Sequence, residues 1–135
     1  MEKFVLNITA SSGEFFQGEC ESLTLPTADG QYGVQAGHSP VLVALEMGIM
    51  QFTVNGETRN VLVGDGIAEV TPAYVVLLVD SAERPEDIDA IRARRKADEA
   101  REILLQKKSR QEYRTAQATL ARALNRLRVK EHREL

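Results

Sequence analysis

Glycine and proline stop partway along this chain. All nine glycines lie at or before Gly66, the four prolines are Pro26, Pro40, Pro72 and Pro85, and the last 50 residues contain neither. Positive-φ turns and helix breaks depend on these two residue types, so the first part can turn often and the last part can run as uninterrupted helix. Charge divides at the same place. Residues 1–82 carry Lys3 and Arg59 against ten acids, a net −8, whereas residues 83–135 carry fifteen Lys and Arg against ten acids, a net +5. Six of the seven aromatics also precede Pro85. A chain of 135 residues allows one ordinary domain or two small units. The boundary is placed at Glu83 to Pro85, giving residues 1–84 and 85–135.

The first part has the two-residue period of half-buried strands. Phe4, Leu6 and Ile8 alternate with Val5, Asn7 and Thr9. Leu23 and Leu25 alternate with Ser22 and Thr24, and Met50, Phe52 and Val54 with Ile49, Gln51 and Thr53. Asn55-Gly56 is a strong hairpin signal, because both residues tolerate positive φ. Asp29-Gly30, Gly64-Asp65-Gly66 and Thr71-Pro72-Ala73 mark further turns. Tyr74 to Val79 is apolar on both parities, which predicts a central strand. About nine strands are countable in this way, predicting a β-sandwich or flattened barrel.

The second part has the helical period. Ala90, Ala93, Ala97, Ala100 and Leu104 recur at intervals of three and four, and so do Tyr113, Ala116, Leu120, Ala123 and Leu127. Pro85 suits a first helical position, and Glu86 and Asp87 place negative charge at the positive end of the dipole, with Lys107 and Lys108 at the other end. Ser109 and Glu112 have the spacing of a capping box and start a second helix. Two helices of roughly 22 residues, about 33 Å each, separated by a short break predict an antiparallel hairpin. The same stripes also suit a straightened form laid on another protein.

Several function classes are excluded at this level. No apolar run approaches the ~20 residues that span a bilayer. Met1 to Ala10 alternates and carries charge early, unlike a secretory signal. Cys20 is the one cysteine, so a reducing compartment is expected; it falls on the Ser22/Thr24 parity with no base beside it. His38-Ser39 sits in a turn-like stretch without a nucleophile elbow, which predicts a loop histidine bonding backbone. There is no P-loop, dinucleotide fingerprint or paired-cysteine motif. No convincing acid/base pair emerges, so an active site of its own is not expected.

The arginines carry more. Arg122 and Arg126 are one turn apart on one helix face, and antiparallel folding brings Arg92 to the same end. Three converging guanidinium groups either embrace an anion such as polyphosphate or form a solvated surface with salt bridges.

Taken together, these residues resemble the ε subunits of bacterial F-type ATP synthases. The matching stretches are Gly33-Val34, Gly37-His38-Ser39-Pro40, Gly66-Ile67-Ala68-Glu69-Val70, Ala82-Glu83-Arg84, Asp87-Ile88-Asp89 and Ala121-Arg122-Ala123-Leu124-Asn125-Arg126-Leu127. Their joint order covers nearly the whole chain. The resemblance implies an α+β chain: a ten-stranded N-terminal β-sandwich, 1–84, and a C-terminal antiparallel two-helix hairpin, 85–135. It implies a non-catalytic subunit of the central stalk, peripheral on the cytoplasmic face of the bacterial cell membrane. The sandwich would bind the γ subunit and the c-ring and couple proton-driven rotation to ATP synthesis. The hairpin would open along γ, meet an acidic segment of the catalytic β subunit and block ATP hydrolysis at the α/β assembly. No cofactor is required, but ATP is implied as a regulatory ligand through Ile88, Asp89, Arg92 and Ala93, with Glu83, Arg122 and Arg126 as further contacts. At Glu99 the family's strong binders carry an arginine, and neither Arg95 nor Arg101 falls at that place, so weaker binding is expected.

Two other classes compete. A nucleic-acid module would use the basic helices, but ten acids interrupt them and Tyr113 is their one aromatic. A cupin-like metalloenzyme would need more than His38 and His132. The isolated chain is expected to be a monomer or a weak dimer without nucleic acid.

Overall fold

Period-two patterning becomes ten strands in two five-stranded sheets. The computed structural model describes residues 2–106 and 110–134, with side chains through Glu131. The chain divides into two compact units, Met1–Arg84 and Pro85–Leu135.

In the first unit one sheet has the order β2-β1-β9-β8-β5, built from β2 (Gly13–Cys20), β1 (Phe4–Ala10), β9 (Tyr74–Val79), β8 (Gly66–Val70) and β5 (Val41–Leu45). The other has the order β10-β7-β6-β3-β4, built from β10 (Ala82–Glu83), β7 (Glu57–Val63), β6 (Gly48–Val54), β3 (Ser22–Thr27) and β4 (Gly30–Gln35). β1 and β9 pair in parallel, with Val5 opposite Tyr74 and Ala10 opposite Val79; their neighbours are antiparallel. The two-residue β10, which pairs Glu83 with Leu62, makes ten strands where patterning counts nine, because two residues are too short to show a period.

The core is the set that alternation picks out. Phe4, Leu6, Ile8, Leu23, Leu25, Met50 and Phe52 are all buried, and Val54 packs against their edge. Each strand that turns one face inward is fixed in register, since a one-residue slip would expose its whole apolar set. Turns behave as their chemistry requires. Asn55 and Gly56 adopt φ of 52° and 78°, closing β6 on β7 with Val54 opposite Glu57. Gly66 answers a different need: a Cβ there would lie 2.1 Å from the Leu78 carbonyl oxygen, so only glycine lets β8 and β9 approach.

Two expectations change. β9 lies centrally in its sheet, but only Val75, Leu77 and Val79 are buried; Tyr74 and Leu78 face outward and are exposed. The sheet has one covered face within this unit, so apolar residues on both parities do not mean burial on both sides. Cys20 ends β2 before β3 begins at Ser22, so its parity is not that of Ser22 and Thr24. It is fully buried in the core, and its thiol donates to the Ser22 carbonyl at 2.9 Å.

The second unit opens with a 3-10 turn, Pro85–Asp87, followed by α1 (Ala90–Leu105, 16 residues) and α2 (Arg110–Glu134, 25 residues). The helices are therefore unequal, not two of similar length. Asp89 is the reason: it has extended backbone, φ −85° and ψ 101°, and its carboxylate accepts the Arg92 N–H at 3.0 Å, starting α1 there instead of at Pro85. Ser109 of the proposed capping pair with Glu112, and Lys107 and Lys108 at the end of the first helix, lie outside the described residues.

Candidate functional site

The seam between α1 and α2 is made of small side chains. Ala93, Ala97 and Ala100 are buried from α1, and Ala116 and Ala123 from α2. Ala90, Leu104, Leu120 and Leu127 are half-buried beside them, in keeping with the three-four spacing. Tyr113 departs from that spacing's prediction and is exposed, while Val129 is fully buried. Because α1 starts late, the 3-10 turn packs on the far end of α2 and extends the seam toward Val129.

Several large apolar side chains of this unit face outward. Ile91 is 74% exposed and Leu105 80%, and Ile103, Tyr113 and Leu124 are also exposed. With Ile91, Ile103, Leu105, Tyr113 and Leu124 exposed, the folded hairpin gains less from burial than its apolar content allows, since each buried methylene contributes about 0.8 kcal/mol.

The register of the hairpin places the arginines. Lys130 Nζ donates to the Pro85 carbonyl at 3.5 Å, so the start of this unit lies beside the end of α2. Farther along, one groove of about 530 Å³ is lined by Lys96 and Ala100 from α1 and by Ala116 and Thr119 from α2. Arg92 lies four residues before Lys96 on α1, and Arg122 three residues after Thr119 on α2. Arg122 donates to Thr119 Oγ1 at 3.4 Å, and Arg92 stands one turn before Lys96. None of the three arginines lines that groove, whose charged residues are Lys96, Glu99 and Glu112, and among the described residues the Arg92 guanidinium makes no ion pair. Arg126 is half-buried and partnered.

The other motif residues have local jobs. Ile88 is buried, Asp89 caps α1, and Ala93 is part of the seam while its N–H donates to the Asp89 carbonyl at 2.9 Å. Glu83 belongs to the sandwich unit, half-buried on β10 opposite Leu62. Glu99 lines the groove beside Lys96, a residue that the sequence patterns do not single out. Its signal is the four-residue step from Arg92 to Lys96. His38 behaves as a loop histidine: Nδ1 donates to the Ser39 carbonyl at 2.7 Å, which leaves Nε2 to accept the Tyr32 hydroxyl at 3.2 Å.

A second surface belongs to the sandwich. Val5, Leu42, Ile67, Tyr74 and Leu78 are exposed on the outer side of the β2-β1-β9-β8-β5 sheet, Leu42 to 67% and Leu78 to 53%. Ladder pairing joins four of them in two pairs, with Val5 opposite Tyr74 and Leu78 opposite Ile67, while Leu42 stands opposite Glu69. Asn7 and Glu69 lie between the two pairs, and exposed apolar residues grouped on one sheet face are of the kind that docking surfaces use. Sequence patterning does not reveal it, because apolar residues on the second parity read equally well as a second buried face.

Comparisons with known proteins give this geometry a setting. Residues 3–85 match the model of the ATP synthase delta/epsilon chain β-sandwich domain, and residues 86–131 that of its long α-helix domain. The ATP synthase epsilon chain of Ruminiclostridium cellulolyticum is 37% identical over 127 residues, covering 94% of this chain and 95% of the relative. That of Nitratidesulfovibrio vulgaris is 45% identical over 105 residues, 78% of each chain. The nucleic-acid reading finds no support among them. A chain from the Euglena gracilis mitochondrial ATP synthase, in a structure of its OSCP, F1 and c-ring, has the same fold: TM-score 0.72 at 23% identity, over 98% of this chain and 79% of that one. A chain from the central stalk and c-ring of the Tetrahymena thermophila enzyme aligns at TM-score 0.54 and 15% identity, over 66% and 72%. With both of its units matched in order and bacterial relatives aligned along nearly its full length, this chain belongs to the family of bacterial F-type ATP synthase epsilon chains.

Proposed function

We propose that this chain is a non-catalytic central-stalk subunit whose sandwich holds the rotor and whose hairpin is an ATP-sensitive brake on hydrolysis. The observation that carries the reading is the set of large apolar side chains that the folded hairpin leaves exposed, Ile91, Ile103, Leu105, Tyr113 and Leu124, around an alanine seam. An opened pair of helices lays those side chains, and the +5 charge of residues 83–135, on the stalk and on acidic catalytic subunits. The closed form is held by little, so a ligand that binds only the closed form shifts the population. ATP is that ligand in this reading, with its phosphates at Arg92, Arg122 and Arg126. Ile88, Asp89 and Ala93 are the motif residues beside Arg92 in this reading. At 100 times its Kd a ligand of this kind stabilises the closed hairpin by about 2.7 kcal/mol.

The apolar outer sheet face supports docking on γ and the c-ring. In that assembly the chain is peripheral, on the cytoplasmic face of the membrane; among the described residues no helix is long and apolar enough to cross one. The test is ATP hydrolysis by the cognate catalytic complex stripped of this subunit, with the full chain or residues 1–84 added back. Inhibition by the full chain alone is expected. Equal rates with both, at equal binding, would remove the brake from the hairpin.

A further inference from the structure

We propose that the Asn55-Gly56 turn is a site of spontaneous covalent modification in this chain, and that Glu21 is the residue that restrains it. The proposal is independent of the nucleotide reading above. An asparagine followed by glycine is open to attack by the backbone on its own side chain, because glycine has no Cβ to block the approach. Asn55 is exposed at the tip of the β6–β7 hairpin, and among the described residues its side-chain amide has no hydrogen-bond partner. No existing bond therefore holds that amide away from the Gly56 nitrogen.

The step balances within the turn and one water molecule. The Gly56 nitrogen bonds to Asn55 Cγ, the Cγ–Nδ2 bond breaks, and Nδ2 leaves as ammonia with the proton that Gly56 gives up. Water then opens the five-membered imide. Opening at Cγ gives aspartate. Opening at the backbone carbonyl gives isoaspartate, which routes the main chain through the former side chain. Either product adds a negative charge. The second also lengthens a two-residue turn that sets Val54 opposite Glu57, with φ of 52° and 78° at its two residues.

Glu21 meets the attacking atom. Its Oε1 accepts the Gly56 N–H at 3.0 Å, although the two residues are 35 apart in sequence. Its own N–H donates to the Thr53 carbonyl at 2.8 Å, so half-buried Glu21 holds the hairpin on both sides of Asn55. Attack on Cγ must break the charge-assisted bond from Gly56 to the carboxylate. It also builds negative charge on the nitrogen beside that carboxylate, and like charges in contact repel. Both effects raise the barrier.

The experiment is prolonged incubation of the full-length chain in mildly alkaline buffer, then proteolysis and mass spectrometry of the peptide that holds residue 55. Enzymatic methylation of isoaspartate reports the second product. Glu21→Ala is expected to speed the reaction at Asn55 about tenfold, the effect of one lost charge-assisted bond. Glu21→Gln keeps an acceptor without the charge and should speed it less. Asn60, on β7 of the same hairpin, is the internal reference, and its rate should not change. In concentrated urea the natural chain and Glu21→Ala should react alike, and faster than the folded natural chain. Equal rates at Asn55 in the two folded chains would overturn the restraint. A slower Glu21→Ala would overturn it as well, and would make Glu21 the base that draws the proton off. Equal acceleration at Asn55 and Asn60 would trace the effect to a loosened hairpin and remove the Glu21–Gly56 bond from the explanation. An unmodified Asn55 in both Glu21→Ala and urea would overturn the site itself.

Discussion

The Asp89 carboxylate accepts the Arg92 backbone N–H at 3.0 Å, so the two residues read as motif partners are also cap and first turn of α1. The cap sets where the helix begins, and the helix start sets the direction in which the Arg92 side chain leaves. Replacing Asp89 by Ala should cost the hairpin about 1 kcal/mol, and Asp89→Asn much less, because asparagine also caps. Thermal unfolding followed by helix signal checks this. If Asp89 served only a ligand, the melting of the ligand-free chain would not change.

The alanine seam is tightly matched. Ala97 is 1% exposed between the helices, so Ala97→Leu has no room there. Overpacking should destabilise the closed hairpin by about 1–3 kcal/mol. Hydrogen exchange should quicken in α1 and α2 while the strands of the sandwich keep their protection. In the hydrolysis assay this variant should inhibit more strongly than the unaltered chain, since opening becomes easier. Weaker inhibition at unchanged binding to the complex would count against the opened form as the brake.

Leu78 stands opposite Ile67 on the open sheet face and contributes nothing to the core. Leu78→Glu should leave the isolated chain within about 0.5 kcal/mol of its original stability, as surface changes do. Binding to the stalk complex should fall at least about tenfold if that face docks, because a carboxylate would be desolvated against an apolar partner. Affinity measured by sedimentation or interferometry decides it; unchanged affinity would move the interface elsewhere.

Cys20 titrates abnormally. Burial in the core pushes its thiol up from an ordinary value of 9.0, outweighing the backbone hydrogen bonds that pull it down. The unfolded chain therefore releases this proton before the folded chain does. The stabilisation is fully present below pH 9 and is lost as pH rises from there through the folded value. Denaturant unfolding at pH 8 and pH 10 should show a steeper loss for the natural chain than for Cys20→Ala. Parallel losses would place the alkaline instability on other groups. Thiol reagents should label Cys20 only at the rate at which the sandwich opens.

Much of the fold is legible in local chemistry. Side-chain period depends on local geometry alone, so Phe4, Leu6, Ile8, Met50 and Phe52 are assignable to a core and Ala93, Ala97 and Ala100 to a seam. The Asn55-Gly56 turn is legible for the same reason, because positive φ is a property of those residues. Other features depend on neighbours far along the chain. β10 exists because Leu62 and Val63 offer it a ladder. Tyr74 and Leu78 are exposed because this unit has no third layer to cover them. Val129, not Tyr113, is buried because the 3-10 turn packs at that end of α2. Lys96 and Thr119 line one groove because the hairpin register brings their helices together there. Residue order thus settles which side chains turn inward and where the chain changes character, since period, turn chemistry and charge act over a few residues. Which faces stay open and which side chains share a groove follow from the folded arrangement instead, since both depend on what long-range packing brings, or fails to bring, against each surface.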